Sequence, residues 1–494
     1  MSRRTWWVLV AVLVILAGLL TWWLRSRSEE PVAAGGPGQS AAEASRGPTE
    51  EQLATAESTP REDSYYPGIG DPRTDSLHHD LDLAWDPEAG VLRGVDTITL
   101  RATGDHARFQ LDLAEPLEVA SATLDGRPVQ VAERGKDLVV EAPIERDRRY
   151  RLRIEYAGTP APYPSPGSRS DVEALGWTTT PEGEVWTIQE PYGAFTWYPV
   201  NDHPSDEALY DVRVTVPQGW VGISNGSLES RTEDAVDQTT TTRWHVDEPV
   251  ASYLMTIAIG DYEATQDETA SGVPVTYWTP QGDETALADF RATIPAMEWI
   301  EERLGAYPFS TLGLVLVDSA SAMETQTMLT IGDSAYTRSP AVIVHELVHQ
   351  WYGNQVTPAD WRDLWMNEGM TMYLQLLWEA EEEGTDPDDY LDQFRVTAEV
   401  RRTEAGPPGA FHRDRFGDGV VYYVPALMWH ALRERVGEET FWDLVRAWPA
   451  ARDNQNPTRR DYLDWVEDQT GEELDDFFRA WLMAPRSPTG TARR

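Results

Sequence analysis

The sequence predicts an α+β protein in which an all-β domain precedes a mainly helical domain, with one transmembrane helix at the N-terminus. Three observations lead to this prediction. Residues 6–24 carry no charge, residues 64–265 alternate between apolar and polar residues in short runs, and residues 266–485 show helical spacing of apolar residues. A chain of 494 residues also exceeds what one compact core usually supports, so two folded domains are expected.

The uncharged stretch near the N-terminus has the features of a membrane-spanning helix. It runs for 19 residues, with tryptophan pairs near both ends and arginines just beyond them, which is typical of helices anchored at both membrane interfaces. We therefore expect residues 1–27 to form a cytoplasmic tail and a single-pass cell-membrane anchor, with the rest of the chain extracytoplasmic. The alternative is a signal peptide cleaved near Val32-Ala33-Ala34, which would give a secreted protein.

Two segments lack any periodic apolar pattern. Residues 28–63 are rich in Ala, Gly, Ser, Pro and Glu, a composition that predicts a flexible linker. Residues 486–494 at the other end of the chain predict a disordered tail.

Residues 64–265 are predicted to form the β domain. Alternating runs such as residues 97–100 and 212–216 are separated by Gly, Pro, Asn and Asp, the residues that favour turns. Asn225-Gly226-Ser227 fits either a glycosylation acceptor or a tight hairpin turn, and we favour the turn because the motif lies between apolar runs.

Residues 266–485 are predicted to form the second domain. Helical spacing of apolar residues covers 286–304, 340–352 and 358–382, with more helices up to 482. Two apolar runs, residues 312–317 and 328–331, predict strands between the first two helices.

Charge and composition exclude several classes of function. The formal net charge of −42 argues against binding to nucleic acid, because no basic face is available to replace phosphate counterions. The absence of cysteine excludes disulfides, thiolate metal ligands and a cysteine nucleophile.

The predicted helix at 340–352 contains an HExxH motif with His345, Glu346 and His349. Histidines four residues apart lie on one helix face, so both imidazoles can bind a single zinc ion. Glu346 stands beside the first histidine and is the candidate general base, which would take a proton from the attacking water and pass it to the leaving amine.

A catalytic zinc site needs a third protein ligand, and Glu368 is the candidate. It shares a helix face with Trp361, Trp365 and Met372, and a carboxylate on so apolar a face is costly to bury unless it meets a cation. Thr357, Pro358 and Asp360 are predicted to begin this helix as its N-cap, first-turn proline and N3 carboxylate. Two neutral histidines and one carboxylate leave a zinc ion with net positive charge, able to polarise a carbonyl.

The run HELVHQWYGNQVTPADWRDLWMNEG, residues 345–369, closely resembles the signature of the aminopeptidase N family of zinc peptidases, in which 18 residues separate the HExxH from the ligand glutamate. Residues 189–191, 197–206 and 307–309 also resemble segments of this family. The resemblance implies a saddle-like β domain packed on a thermolysin-like catalytic domain, in a short form without the C-terminal helical domain of many relatives. It also implies one zinc ion and peptide substrates with a free N-terminus.

The same resemblance implies the substrate-binding residues. The segment 321–325 is similar to the family's Gly-Ala-Met-Glu-Asn motif, with Ala322, Met323 and Glu324 in matching positions. Glu324 and Glu190 then fall where the family binds the α-amine of the substrate. Ser321 and Thr325 replace the motif's first Gly and last Asn.

A tyrosine that donates to the oxyanion is also implied by the resemblance. It falls at Tyr422, with Tyr423 as its rival, although Val424-Pro425 stands where the family has Lys-Gly. Pro425 predicts that a helix begins here, with Tyr422 at its N-terminal end.

Three functions fit these residues. The first is a zinc aminopeptidase, and the second is a zinc endopeptidase in which the altered motif no longer binds the amine. The third is a binding scaffold with little catalysis, which the intact metal motif and adjacent base disfavour.

Overall fold

The computed structural model describes residues 47–167 and 169–488. The described residues from Pro48 onward belong to one compact unit. The predicted membrane anchor at residues 6–24 lies outside the described residues. Within the described ranges, no helix is both long and apolar enough to cross a membrane.

The first half of this unit is built of strands, as predicted for the N-terminal domain. The strands up to the domain boundary are β1 (Thr74–Asp86), β2 (Val91–Ala102), β3 (Phe109–Asp112), β4 (Leu117–Leu124), β5 (Arg127–Pro128), β6 (Val131–Arg134), β7 (Asp137–Val140), β8 (Arg149–Gly158), β9 (Tyr163–Pro164), β10 (Ala174–Thr179), β11 (Val185–Ile188), β12 (Glu207–Pro217), β13 (Val221–Ser224), β14 (Ser227–Asp234), β15 (Thr239–Ala251) and β16 (Ile257–Gly260).

These strands form three sheets. The largest has eight strands in the order β14-β15-β12-β1-β2-β8-β4-β5, and all neighbours are antiparallel except β1 and β12. A five-stranded sheet has the order β13-β16-β11-β10-β9, and a three-stranded sheet has the order β3-β7-β6. Buried and less buried residues alternate along β12 and β15 because one face of the large sheet packs on the core.

The second half combines one small sheet with helices. Its sheet contains β17 (Tyr262–Glu268), β18 (Pro274–Pro280), β19 (Leu312–Val317) and β20 (Met328–Gly332), in that order, and β18, β19 and β20 run parallel. Every residue of β19 is buried, which explains its continuous apolar sequence. Strands β19 and β20 confirm the two strands predicted in this region.

The helices account for most of the remaining chain. They are α1 (Glu50–Thr55), α2 (Glu284–Phe290), α3 (Thr293–Leu304), α4 (Pro340–Val348), α5 (Trp365–Glu383), α6 (Pro387–Asp392), α7 (Arg395–Ala405), α8 (Val420–Val436), α9 (Glu438–Ala451), α10 (Arg459–Thr470) and α11 (Asp475–Leu482).

Part of the predicted flexible linker is folded. Residues 48–63 belong to the compact unit, where Thr49 and Gln52 form a capping box at the start of α1. Asp63 is buried and accepts a hydrogen bond from the backbone N–H of Trp361 at 2.9 Å. A helix of six residues with one buried leucine, Leu53, leaves too little pattern for the sequence to reveal.

The hairpin predicted at Asn225-Gly226 is wrong. Strand β13 pairs with β16 and strand β14 pairs with β15, so the turn between them joins two different sheets. Gly226 has a φ of 80°, which fits a turn. The side chain of Asn225 is buried and donates to the carbonyls of Leu254 and Gln326, which makes it part of the core.

Two predicted helix starts are also wrong. Helix α5 begins at Trp365, after a short 3-10 turn that Asp360 caps by accepting a hydrogen bond from the N–H of Arg362. Asp360 also accepts hydrogen bonds from Ser64, and Thr357 donates to the carbonyl of Gly353 instead of capping a helix. Helix α8 begins at Val420, so Pro425 lies inside it.

Candidate active site

Helix α4 holds the HExxH motif and starts on favourable residues. The hydroxyl of Ser339 accepts a hydrogen bond from the N–H of Val342, and Pro340 is the first residue of the helix. Helix α5 runs alongside and carries Glu368. The next residue, Gly369, lets α8 approach closely, because a Cβ at this position would lie 2.6 Å from the Cβ of Pro425.

The structure brings His345, His349 and Glu368 to one point. The two histidine Nε2 atoms are 3.2 Å apart, and each lies 3.3 Å from Oε2 of Glu368. Donor atoms at the corners of a tetrahedron around zinc, with bonds of about 2.0–2.1 Å, are separated by roughly 3.3 Å. The three side chains therefore have the spacing and chemistry of a zinc site with a fourth position free.

Hydrogen bonds fix the orientation of both imidazoles. Nδ1 of His345 lies 2.9 Å from Oε1 of Gln375, and Nδ1 of His349 lies 3.0 Å from the carbonyl oxygen of Tyr352. Both partners are acceptors, so each Nδ1 carries the proton and each Nε2 presents its lone pair to the metal position. Gln375 was not predicted from the sequence, although it lies two helical turns after Glu368 on the same helix.

The carboxylates around this point create a strong preference for a cation. Burial would lower the pKa of His349, but the charges of Glu324 and Glu368 raise it to about 10. Burial opposes ionisation of Glu368 too, yet the charge of His349 and contacts with both histidines hold its pKa below the usual range. A site that stabilises positive charge in this way suits a divalent metal ion.

Glu346 lies in the same cleft and is buried. Burial, followed by the charge of Glu324, raises its pKa to about 8. One carboxylate oxygen of Glu346, one of Glu324 and a ring nitrogen of His349 lie within 4.8 Å of one another. A carboxylate with a raised pKa beside the metal position suits proton transfer near neutral pH.

Glu190 and Glu324 are brought together with the metal ligands. Both line a cleft of about 570 Å³, which also contains Ala322 and Met323. Burial is the main cause that raises the pKa of each glutamate. Oε1 of each is buried and finds no hydrogen-bond partner among the described residues. Unpaired buried carboxylate oxygens of this kind are costly without a ligand, and an ammonium group would satisfy them.

The residues after the HExxH motif position Glu324. Gln350 Nε2 and Asn354 Nδ2 donate to its backbone carbonyl at 3.0 and 2.7 Å. Met323 pairs with Thr330 through two backbone hydrogen bonds, which hold the segment against β20.

Tyr422 and Tyr423 both line the cleft but have different neighbours. The ring of Tyr422 stacks on His345, with centroids 5.9 Å apart, whereas the ring of Tyr423 stacks on Phe394 at 5.4 Å. Burial and the charge of Glu368 raise the pKa of Tyr422 well above its usual value, so its hydroxyl stays protonated. This placement favours Tyr422 as the donor to an oxyanion.

Arg169 also reaches the cleft, and this position was not predicted from the sequence. The residue lies between β9 and β10, and its Nη1 donates to the hydroxyl of Tyr422 at 3.3 Å. No motif surrounds Arg169 in the sequence, so only the fold reveals its position.

Comparison with known proteins identifies the family. Residues 75–254 match the Peptidase M1 N-terminal domain, and residues 288–481 match the Peptidase family M1 domain. The chain belongs to peptidase family M1. The resemblance to aminopeptidase N-type enzymes and the order of a β domain and a helical catalytic domain are thereby confirmed.

Solved structures of M1 zinc metallopeptidase from Deinococcus radiodurans resemble this M1 chain. One of them, a mutant form bound to a Tyr-Ser-Ala substrate, is 28% identical with a TM-score of 0.76, and the match covers 86% of this chain and 98% of that chain. A mutant of a two-domain M1 zinc metallopeptidase bound to L-arginine also matches, with 28% identity and a TM-score of 0.76 over 86% of this chain and 98% of that chain.

The curated M1 relatives are longer proteins. Aminopeptidase N from Streptomyces lividans is 27% identical over 451 residues, which cover 83% of this chain and 50% of the relative. Human glutamyl aminopeptidase is 27% identical over 334 residues, which cover 61% of this chain and 34% of the relative. The chain thus spans about half the length, or less, of these relatives.

Proposed function

We propose that this protein is a zinc-dependent aminopeptidase that removes single residues from the free N-terminus of peptides. The observation that carries the proposal is that Glu190 and Glu324 each place a buried Oε1, without a hydrogen-bond partner among the described residues, in the cleft that holds the metal triad. A peptide's α-ammonium group bound between them would place its first peptide bond beside the zinc position.

The residues of the cleft supply the steps of hydrolysis. His345, His349 and Glu368 would hold zinc, which when bound activates a water molecule and polarises the substrate carbonyl. Glu346 accepts a proton from the attacking water and delivers it to the leaving amine. The hydroxyl of Tyr422 donates a hydrogen bond to the negative charge that develops on the carbonyl oxygen.

The relatives support this proposal at two points. The curated relatives include aminopeptidase N, and the Deinococcus radiodurans protein, which matches nearly over its full length, was solved with a tripeptide substrate. Ala322 and Met323 lie in the cleft next to Glu324, where the backbone of such a peptide would run.

The change at Thr325 does not favour the endopeptidase alternative. Its hydroxyl donates to the carbonyl of Met328 and contacts the hydroxyl of Thr330 at 3.0 Å, so it points toward β20. The replacement therefore leaves the carboxylate of Glu324 in the cleft.

Glu324→Gln tests the proposed amine site. Each charge-assisted contact is worth roughly 1.5–3 kcal/mol, so we expect kcat/KM on aminoacyl amides to fall about ten- to a hundredfold, with zinc content unchanged. Acetylation of the substrate amine should abolish most turnover by the native protein and matter far less to the variant, because the contact is already lost. Equal sensitivity of both proteins to acetylation would remove Glu324 from the amine site.

We also propose that the chain is exported and held in the cell membrane by residues 1–27. The support is the uncharged stretch at residues 6–24 with its flanking tryptophans and arginines. Recovery of the full chain in the soluble fraction, at its full mass, would contradict this proposal.

A further inference from the structure

Arg169 connects three parts of the molecule at the cleft. Its Nη1 donates to the hydroxyl of Tyr422 at 3.3 Å, and its Nη2 donates to Oγ of Ser321 at 3.0 Å. The carboxylate of Asp171 accepts hydrogen bonds from Nε of Arg169 at 3.2 Å and from Nη2 at 2.5 Å. Arg169 thus ties the β domain to the first turn of α8 and to the segment that carries Glu324.

Two glycines, Gly167 and Gly417, allow the backbone to pack closely around Arg169. Gly417 has a φ of +66°, and a Cβ at this position would lie 2.8 Å from Cδ of Arg169. A Cβ at Gly167 would lie 2.7 Å from the carbonyl oxygen of Phe416. The connection that carries Arg169 therefore packs closely against the residues just before α8, and a larger residue at 417 would displace the arginine.

The donors of Arg169 limit the direction in which the Tyr422 hydroxyl can donate. A guanidinium has only N–H donors, so the oxygen of Tyr422 must be the acceptor in this contact. The O–H of Tyr422 then points away from Arg169, and its hydrogen-bond partner is Glu368, one of the three candidate metal ligands. Four of the five N–H groups of Arg169 are used by Asp171, Ser321 and Tyr422, so the guanidinium is held in one plane.

We propose that Arg169 is a positioning residue that orients the Tyr422 hydroxyl toward the carbonyl oxygen of the substrate. This inference rests on the proposed function, because it assigns Arg169 to the step in which charge develops on that oxygen. The hydrogen bonds with Asp171 keep Arg169 in place between substrates.

Arg169→Met tests this role, since it removes the charge and the donors but keeps much of the side-chain length. We expect kcat to fall about ten- to a hundredfold, the loss typical of a charge-assisted hydrogen bond, with little change in KM and in zinc content. Arg153→Met is the matched control, because Arg153 also pairs with an acid two residues later, Glu155, and lies on β8 away from the cleft. This control should keep native kinetics.

A double-mutant cycle separates positioning from other roles. If Arg169 acts through Tyr422, adding Arg169→Met to Tyr422→Phe should cost less than about twofold more. Binding of a phosphinic peptide that mimics the tetrahedral state should weaken in Arg169→Met by the same factor as kcat/KM, while binding of a product amino acid should not. An equal loss in both backgrounds would overturn the proposal. So would a loss confined to KM on peptides with a free C-terminal carboxylate, which would make Arg169 a substrate-binding residue instead.

Arg169→Lys covers the case in which the methionine variant does not fold. Lysine keeps the charge but cannot donate to three partners in one plane, so we expect a folded protein with kcat reduced by about tenfold. Native kcat in the lysine variant would overturn the positioning role. If the native protein itself did not turn over free-amine substrates, the proposed function would be wrong. Native kcat in the lysine variant would contradict only the positioning role, so the two failures are distinguishable.

Discussion

Glu346→Gln is expected to leave zinc bound and to reduce turnover by about 10²- to 10⁴-fold, the range typical of general acid–base catalysis. The amide has nearly the same size as the carboxylate but cannot accept the proton of the attacking water. Glu346 is not among the three donors that converge on the metal position, so metal binding should survive. Metal analysis and steady-state kinetics on one preparation test both parts.

The residual activity of Glu346→Gln decides whether Glu346 is the general base. A variant that kept more than about a tenth of native activity would have lost less than about 1.4 kcal/mol of transition-state stabilisation. Another group would then have to act as the base, and the assignment of Glu346 would be wrong.

Glu368→Ala is the second change with a large expected effect. It removes the only anionic ligand of the triad, so zinc affinity should fall by more than about a hundredfold and activity should be lost with it. The β domain should remain folded, because Glu368 lies on α5 in the helical half of the chain. Zinc content after dialysis and circular dichroism measure the two effects.

Glu382→Ala is the matched control for this experiment. Glu382 lies on the same helix but is exposed, so its loss should change neither metal content nor activity. Full zinc occupancy in Glu368→Ala after dialysis would exclude Glu368 as a ligand.

Regular periodic patterns made much of the fold predictable. The continuous apolar run of β19 and the alternation along β12 reflect burial on two faces and on one face of a sheet, and these patterns can be recognised in a sequence. The start of α5 differs from the prediction, because a 3-10 turn capped by Asp360 precedes it. Asp360 also bonds to Ser64, a residue 296 positions away, which no local pattern reveals. Thr357 donates to the carbonyl of Gly353, so the local helix signal at this residue is not used.

Some residues of the candidate site could likewise be predicted from local patterns in the sequence, and others could not. His345, Glu346 and His349 stand close together in sequence, so helical spacing was enough to place them on one face. The contact between Arg169 and Tyr422 joins residues 253 positions apart, and no local pattern marks Arg169. Gln375 is an intermediate case. Its spacing from Glu368 was visible in the sequence, but its hydrogen bond to His345 depends on the packing of α4 against α5.

The most direct test of an aminopeptidase is the identity of its products. An unblocked peptide and its N-acetylated counterpart would be incubated with the native protein, with and without a chelator, and the products identified by mass spectrometry. We expect stepwise loss of N-terminal residues from the unblocked peptide, an intact acetylated peptide, and no cleavage of either peptide with chelator. Internal fragments produced from both peptides at similar rates would contradict the account and show an endopeptidase.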